Sequence, residues 1–107
     1  MSTNGIEITS DAEFRELVSS HPGPVVVCCV ATWTCKKFIS GFKKWAEEAP
    51  KNVRCIILDT SNAELLSVST QCGVRKTPGF LIFHKTQLVG ITDTIMRMES
   101  ETRKLLS

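Results

Sequence analysis

Val25-Val26-Val27-Cys28-Cys29-Val30-Ala31-Thr32-Trp33-Thr34-Cys35-Lys36-Lys37 is the most informative stretch of the chain. Its first six residues form an unbroken apolar run, rich in β-branched side chains, of strand length. An unbroken run means burial on both faces, as in the interior of a parallel-type sheet. Ala31-Thr32-Trp33-Thr34 interrupts it, and a segment with helical spacing begins near Thr34 and continues to Glu48. Cys35 therefore stands at a strand-to-helix junction, where backbone N–H groups point outward without partners. Such a place favours the thiolate, the reactive form of cysteine. Lys36 and Lys37 add positive charge, and together these effects are expected to lower the thiol pKa below its free value of ~8.5. The competing reading is a half-buried cysteine without a partner.

Outward from this stretch, the chain alternates strands and helices. Ile6-Glu7-Ile8 has the alternation of a short edge strand. Ser10 and Glu13 are spaced as a capping box, and Phe14, Leu17 and Val18 give residues 11–19 an amphipathic face. His21-Pro22-Gly23-Pro24 ends that helix. In the second helix Phe38, Phe42, Trp45, Ala46 and Ala49 form one stripe, and Pro50 stops it. Val53 to Leu58 reads as a strand, and Ser61 or Asn62 caps a helix running to Gln71. Thr77-Pro78 leads into the strand Gly79–Phe83, and X-Pro bonds are where cis peptides occur. A turn at His84-Lys85-Thr86 joins it to the strand Gln87–Ile91. Asp93 or Thr94 caps the last helix, with Ile95, Met98, Leu105 and Leu106 apolar. The order is written βαβαββα, an α/β arrangement with helices on both sides of the sheet.

The totals bound the function. At 107 residues the chain reads as one domain, 1–107, large enough to bury a core. A net charge of +2 is too small and too scattered to point to nucleic acid or membrane. No stretch approaches the ~18 apolar residues of a spanning helix, and residues 1–10 lack the pattern of a signal peptide. Five cysteines, an odd number, fit reduced thiols better than a disulfide framework, which implies a cytoplasmic or otherwise reducing setting. His21 and His84 fall in separate turns with no cysteine or histidine at ligand spacing, so neither a metal nor another cofactor is expected.

The framework resembles the thioredoxin superfamily. The matching features are the Val25-Val26-Val27 run, Ala31, Trp33, Thr77-Pro78, Leu81-Ile82-Phe83 and Val89-Gly90. The resemblance implies a single thioredoxin-like domain with a central mixed sheet flanked by helices and a cis-proline at Pro78. The family's Cys-x-x-Cys pair is absent. Cys35 aligns with the second family cysteine if two residues are deleted, and with the intervening glycine if none are. The family's buried acid, which handles protons beneath the active site, falls on Cys28. A thiol is a much weaker proton carrier near neutral pH than a perturbed carboxylate.

By this resemblance Cys35 is the catalytic candidate, and Trp33, Thr34, Lys36, Thr77 and Pro78 shape a substrate groove. The residue before the proline offers backbone groups to an extended peptide, as an added strand would. Cys28 and Cys72 are secondary thiols. A Cys28–Cys35 bridge requires Cα atoms within about 7 Å, and Cys72 reads either as an exposed thiol or as a half-buried one. Cys29 points away from Cys28 into core, and Cys55 reads as a small buried hydrophobe.

Two functions follow. One is thiol–disulfide exchange by a single cysteine on protein clients or low-molecular-weight thiols, with glutathione completing the turnover. The other is a non-catalytic binding module, similar to the phosducin-like, chaperone-associated branch, for which Trp33-Thr34-Cys35-Lys36 provides the pattern. Either implies protein or thiol partners and a monomer or weak dimer.

Overall fold

The computed structural model describes residues 5–31, residue 33 and residues 36–106. The elements are β1 (Ile6–Ile8), α1 (Asp11–Ser19), β2 (Val25–Val30), α2 (Lys36–Glu48), β3 (Arg54–Asp59), α3 (Ala63–Gln71), β4 (Gly79–His84), β5 (Gln87–Thr92) and α4 (Ile95–Leu106). The order βαβαββα holds from β2 onward. The written order leaves out the edge strand Ile6–Ile8 and the helix 11–19 that the sequence also announces; both form, and Ile6, Glu7 and Ile8 pair in parallel with Ile56, Ile57 and Leu58 at the edge of the sheet.

The five strands lie in the order β1-β3-β2-β4-β5. β2 runs parallel to β3 and antiparallel to β4, and β5 is antiparallel to β4, so the sheet is mixed. β2 is the middle strand, and each of its six residues is at most 1% exposed. Its side chains alternate between two cores, as strand geometry requires. Val25, Val27 and Cys29 join Phe14, Val18 and Leu65 beneath α1 and α3. Val26, Cys28 and Val30 join Phe42, Phe80 and Met98 beneath α2 and α4. Each fully buried side chain of this size contributes roughly 1.5–3 kcal/mol of transfer free energy.

Helix starts follow their capping signals. Ser10 Oγ accepts from the Glu13 N–H at 3.2 Å. The Glu13 carboxylate accepts from the Thr9 N–H at 2.8 Å, one residue earlier than a reciprocal capping box would place it. Of the two candidates before α3, Asn62 is the cap, accepting from the Glu64 and Leu65 N–H groups. Thr94 Oγ1 accepts from the Arg97 N–H at 3.1 Å at the start of α4.

Strand bounds move by about one residue. β3 starts at Arg54 instead of Val53 and ends at Asp59, while β4 and β5 each run one residue further. Backbone pairing continues past the last apolar side chain, with Val30 opposite Asp59, His84 opposite Gln87 and Phe80 opposite Thr92. The Thr77-Pro78 peptide is cis, and Lys85 and Thr86 in the β4–β5 turn have φ of 54° and 66°.

Candidate functional site

β2 and β3 end at the same edge of the sheet because they are parallel, and β4 begins there because it is antiparallel to β2. Cys29 stands opposite Gly79 in the β2–β4 ladder. The segment after β2 and the segment before β4 are thereby brought together. Thr60, buried at the end of β3, donates its N–H to the Val30 carbonyl at 3.0 Å and fixes a third segment at this end.

Trp33 lies in the segment after β2 and is 70% exposed. An indole left in water forgoes the burial that normally stabilises it. Thr77 is exposed and Pro78 half-buried on the facing segment. A Cβ on Gly79 would lie 2.9 Å from Val74 Cγ1 and 3.2 Å from the Lys76 carbonyl oxygen. Glycine is therefore what allows the 74–76 loop to fold directly over the first residue of β4. Lys36 opens α2 with its side chain in solvent. Thr34 and Cys35, expected at the centre of the site, lie outside the described residues.

The other cysteines are held away from solvent. Cys28 and Cys29 are adjacent in β2, so Cys35 is not the only cysteine of this region, yet both are fully buried and enter opposite cores. Burial pushes the Cys29 thiol up to about 12, with nearby Cys72 adding to the shift. Cys55 is likewise pushed up to about 12 by burial. Cys72 caps α3 and is half-buried, and its thiol is raised first by desolvation and then by the Asp11 carboxylate. Of the two readings open for Cys72, the structure selects the half-buried one. A raised thiol is protonated at neutral pH and a poor nucleophile.

Phe80 packs against Phe38 and Phe42 with ring centroids 5.5 and 5.8 Å apart, giving α2 an aromatic floor behind the site. Phe42 also stacks with Trp45. His21 has a local structural role: its Nε2 lies 2.6 Å from the Asn52 carbonyl oxygen. Among the described residues no three His, Cys, Asp or Glu side chains converge to hold a metal ion, and no helix is long and apolar enough to cross a membrane.

Sequence reading overlooked the basic residues beside the groove. Arg75, Lys76 and Arg97 line a concavity next to Gly79. The signal was present in the Arg75-Lys76 pair directly before Thr77-Pro78, whereas Arg97 arrives only through the fold.

A family model described as Thioredoxin matches residues 5–105. A thioredoxin of Aspergillus fumigatus is 37% identical over 92 residues, covering 83% of this chain and 82% of the relative. Among solved structures, thioredoxin f from spinach chloroplast superposes with a TM-score of 0.85 at 24% identity, covering 100% of this chain and 99% of the other. Thioredoxin from Trypanosoma brucei brucei gives a TM-score of 0.82 at 21% identity, covering 99% and 94%. With the family model spanning nearly the whole chain and the mixed five-stranded sheet matching in topology, this chain belongs to the thioredoxin family.

Proposed function

We propose that this protein carries out thiol–disulfide exchange on protein clients through Cys35, in a reducing compartment such as the cytoplasm. The observation that supports this is the state of the remaining cysteines. Cys28, Cys29 and Cys55 are fully buried and Cys72 is half-buried with a raised thiol. Exchange therefore falls to Cys35, which directly precedes α2 and follows the exposed Trp33. The Cys35 thiolate attacks one sulfur of a client disulfide, forming a mixed disulfide and releasing the other sulfur as a thiolate that takes a proton from water. An external thiolate such as glutathione then attacks the client sulfur of the mixed disulfide. Cys35 leaves as the thiolate, and the client remains joined to the external thiol until a second one frees it. The client is proposed to lie against Trp33, Lys36, Thr77 and Pro78, with Thr34 assigned to the same groove by its place in the sequence.

A second reading, a binding module without catalysis, is favoured by one feature. Cys28, at the position of the family's buried acid, sits in a core cluster of apolar side chains and offers no carboxylate for proton transfer. One experiment separates the two. Iodoacetamide labelling across pH, read by peptide mass mapping, is run beside insulin reduction with glutathione as donor. Exchange at Cys35 is supported if Cys35 labels first, titrates below the free-thiol value, and its Cys35→Ser variant loses insulin reduction. If Cys35 titrates normally and reduction stays at background, the chain is a binding module.

A further inference from the structure

Among the described residues, five basic residues at this end of the sheet form no ion pair, as is also true of Lys44, Lys51 and Lys85 elsewhere. Arg15, Lys43, Arg103 and Lys104 each pair with a carboxylate. Lys36, Lys37, Arg75, Lys76 and Arg97 are exposed, and among the described residues none of them forms an ion pair or side-chain hydrogen bond with an acid. Arg75, Lys76 and Arg97 share one concavity, whose lining contains a single acid, Asp93. Glu101, in the adjoining hollow with Arg97, is engaged by Lys104 at 3.4 Å. Lys36 and Lys37 occupy the first turn of α2, which has no acidic residue to offset them. Cations at a helix N-terminus oppose the macrodipole, so their placement costs helix stability.

Topology puts the two groups at the same end of the sheet. α2 starts where β2 ends, and the 75–76 loop lies over Gly79, opposite Cys29. β5 ends with Thr92 opposite Phe80, which itself faces Cys28 near the end of β2, so α4 begins at the same end of the sheet as α2. The same end also carries Asp59 and Asp93 where β3 and β5 finish and Asp11 and Glu64 where α1 and α3 begin, so the excess of positive charge is local to the lining of this concavity and the first turn of α2.

We propose that this face docks an acidic, extended segment of a protein partner. Its carboxylates lie against Arg75, Lys76 and Arg97 on one side and Lys36 and Lys37 on the other, and its backbone follows Thr77-Pro78. The proposal rests on the client-binding part of the preceding reading and does not require exchange at Cys35. A polypeptide is favoured over a nucleic acid because one exposed indole offers no succession of stacking faces, and the facing segment presents backbone groups suited to an added strand. Charge complementarity of this kind governs which partner is admitted and how fast it arrives, more than how tightly it is held.

The test is fluorescence anisotropy of a labelled, cysteine-free, Glu/Asp-rich peptide with the full chain, at low and high ionic strength. The expected result is salt-sensitive binding of the acidic peptide and none of uncharged or lysine-rich versions. The double variant Arg75→Glu, Arg97→Glu is expected to weaken binding by about tenfold or more. Lys51→Glu and Lys85→Glu, at the far end of the sheet, leave it unchanged. Cys35→Ser binds like the unaltered chain, so loss of exchange and loss of docking are read separately. Circular dichroism confirms that each variant is folded, and Arg75→Ala with Arg97→Ala serves if charge reversal prevents folding. The proposal is overturned if folded variants bind the acidic peptide undiminished, or if a single-stranded oligonucleotide or anionic vesicles bind more tightly than the peptide.

Discussion

Gly79 faces Cys29 across the β2–β4 ladder and lies beneath Val74, which a Cβ at this position would approach to 2.9 Å. Gly79→Ala forces either β4 or the 74–76 loop to shift. The expected cost is about 1–3 kcal/mol, the usual range for overpacking, read as a lower urea midpoint with unchanged m-value. A stability equal to that of the parent chain shows that the loop is free to move.

The β4–β5 turn places Lys85 and Thr86 at positive φ. A β-branched residue is a steric outlier there, and two-residue turns of this kind favour Asn-Gly. Replacing the pair by Lys85→Asn and Thr86→Gly is expected to stabilise the protein by about 1 kcal/mol, measured as a higher thermal midpoint.

Cys29 and Cys55 have thiols raised to about 12 from an ordinary value of 9.0. Their folded values exceed their unfolded ones, so the stability they hold is complete below pH 9 and is lost as pH rises toward 12. In that window the unfolded chain carries fewer protons, and each thiol adds a slope of about 1.4 kcal/mol per pH unit against folding. The absence of tyrosine keeps phenol ionisation out of the same window. Denaturant titrations at successive alkaline pH values should show Cys55→Ala with a shallower decline than the parent. An equal slope in both refutes the assignment to Cys55.

Arg54 Nη1 donates to the Leu17 carbonyl at 2.9 Å and to Ser20 Oγ at 3.0 Å, tying the end of α1 to the start of β3. Arg54→Met keeps much of the aliphatic stem and removes both bonds. The expected loss is about 1–3 kcal/mol, with amide exchange in the last turn of α1 accelerated more than in α3. Uniform acceleration across both helices argues against a local tether.

These contacts also mark the boundary of what a linear reading reaches. The apolar run at Val25–Val30, the Ser10–Glu13 spacing and the proline before Gly79 are short-range signals, and the elements they announce form. Strand alternation alone sends Cys28 and Cys29 to opposite cores. Arg54, by contrast, finds its acceptor 37 positions away, and His21 finds Asn52 31 positions away. Both are side chains whose partners are chosen by packing of the whole fold. Arg97 is hidden for the same reason: nothing near it in sequence announces a groove. Thr34 and Cys35, the core of the expected site, lie outside the described residues, so the Cys35 reading stands on position and on the burial of its fellow cysteines.

β2 has both its hydrogen-bonding partners downstream. During synthesis its six apolar residues emerge well before Arg54–Asp59 and long before Gly79–Phe83. Until those segments appear, the most hydrophobic strand of the protein has two open edges and neither core complete around it. Closing it requires long loops, which slows folding, and an exposed strand of this composition readily joins its like on another chain. The middle strand that anchors the finished sheet is therefore also the segment that nascent chains most need shielded, and a truncation ending before Gly79 should accumulate as aggregate, not as a partly folded monomer.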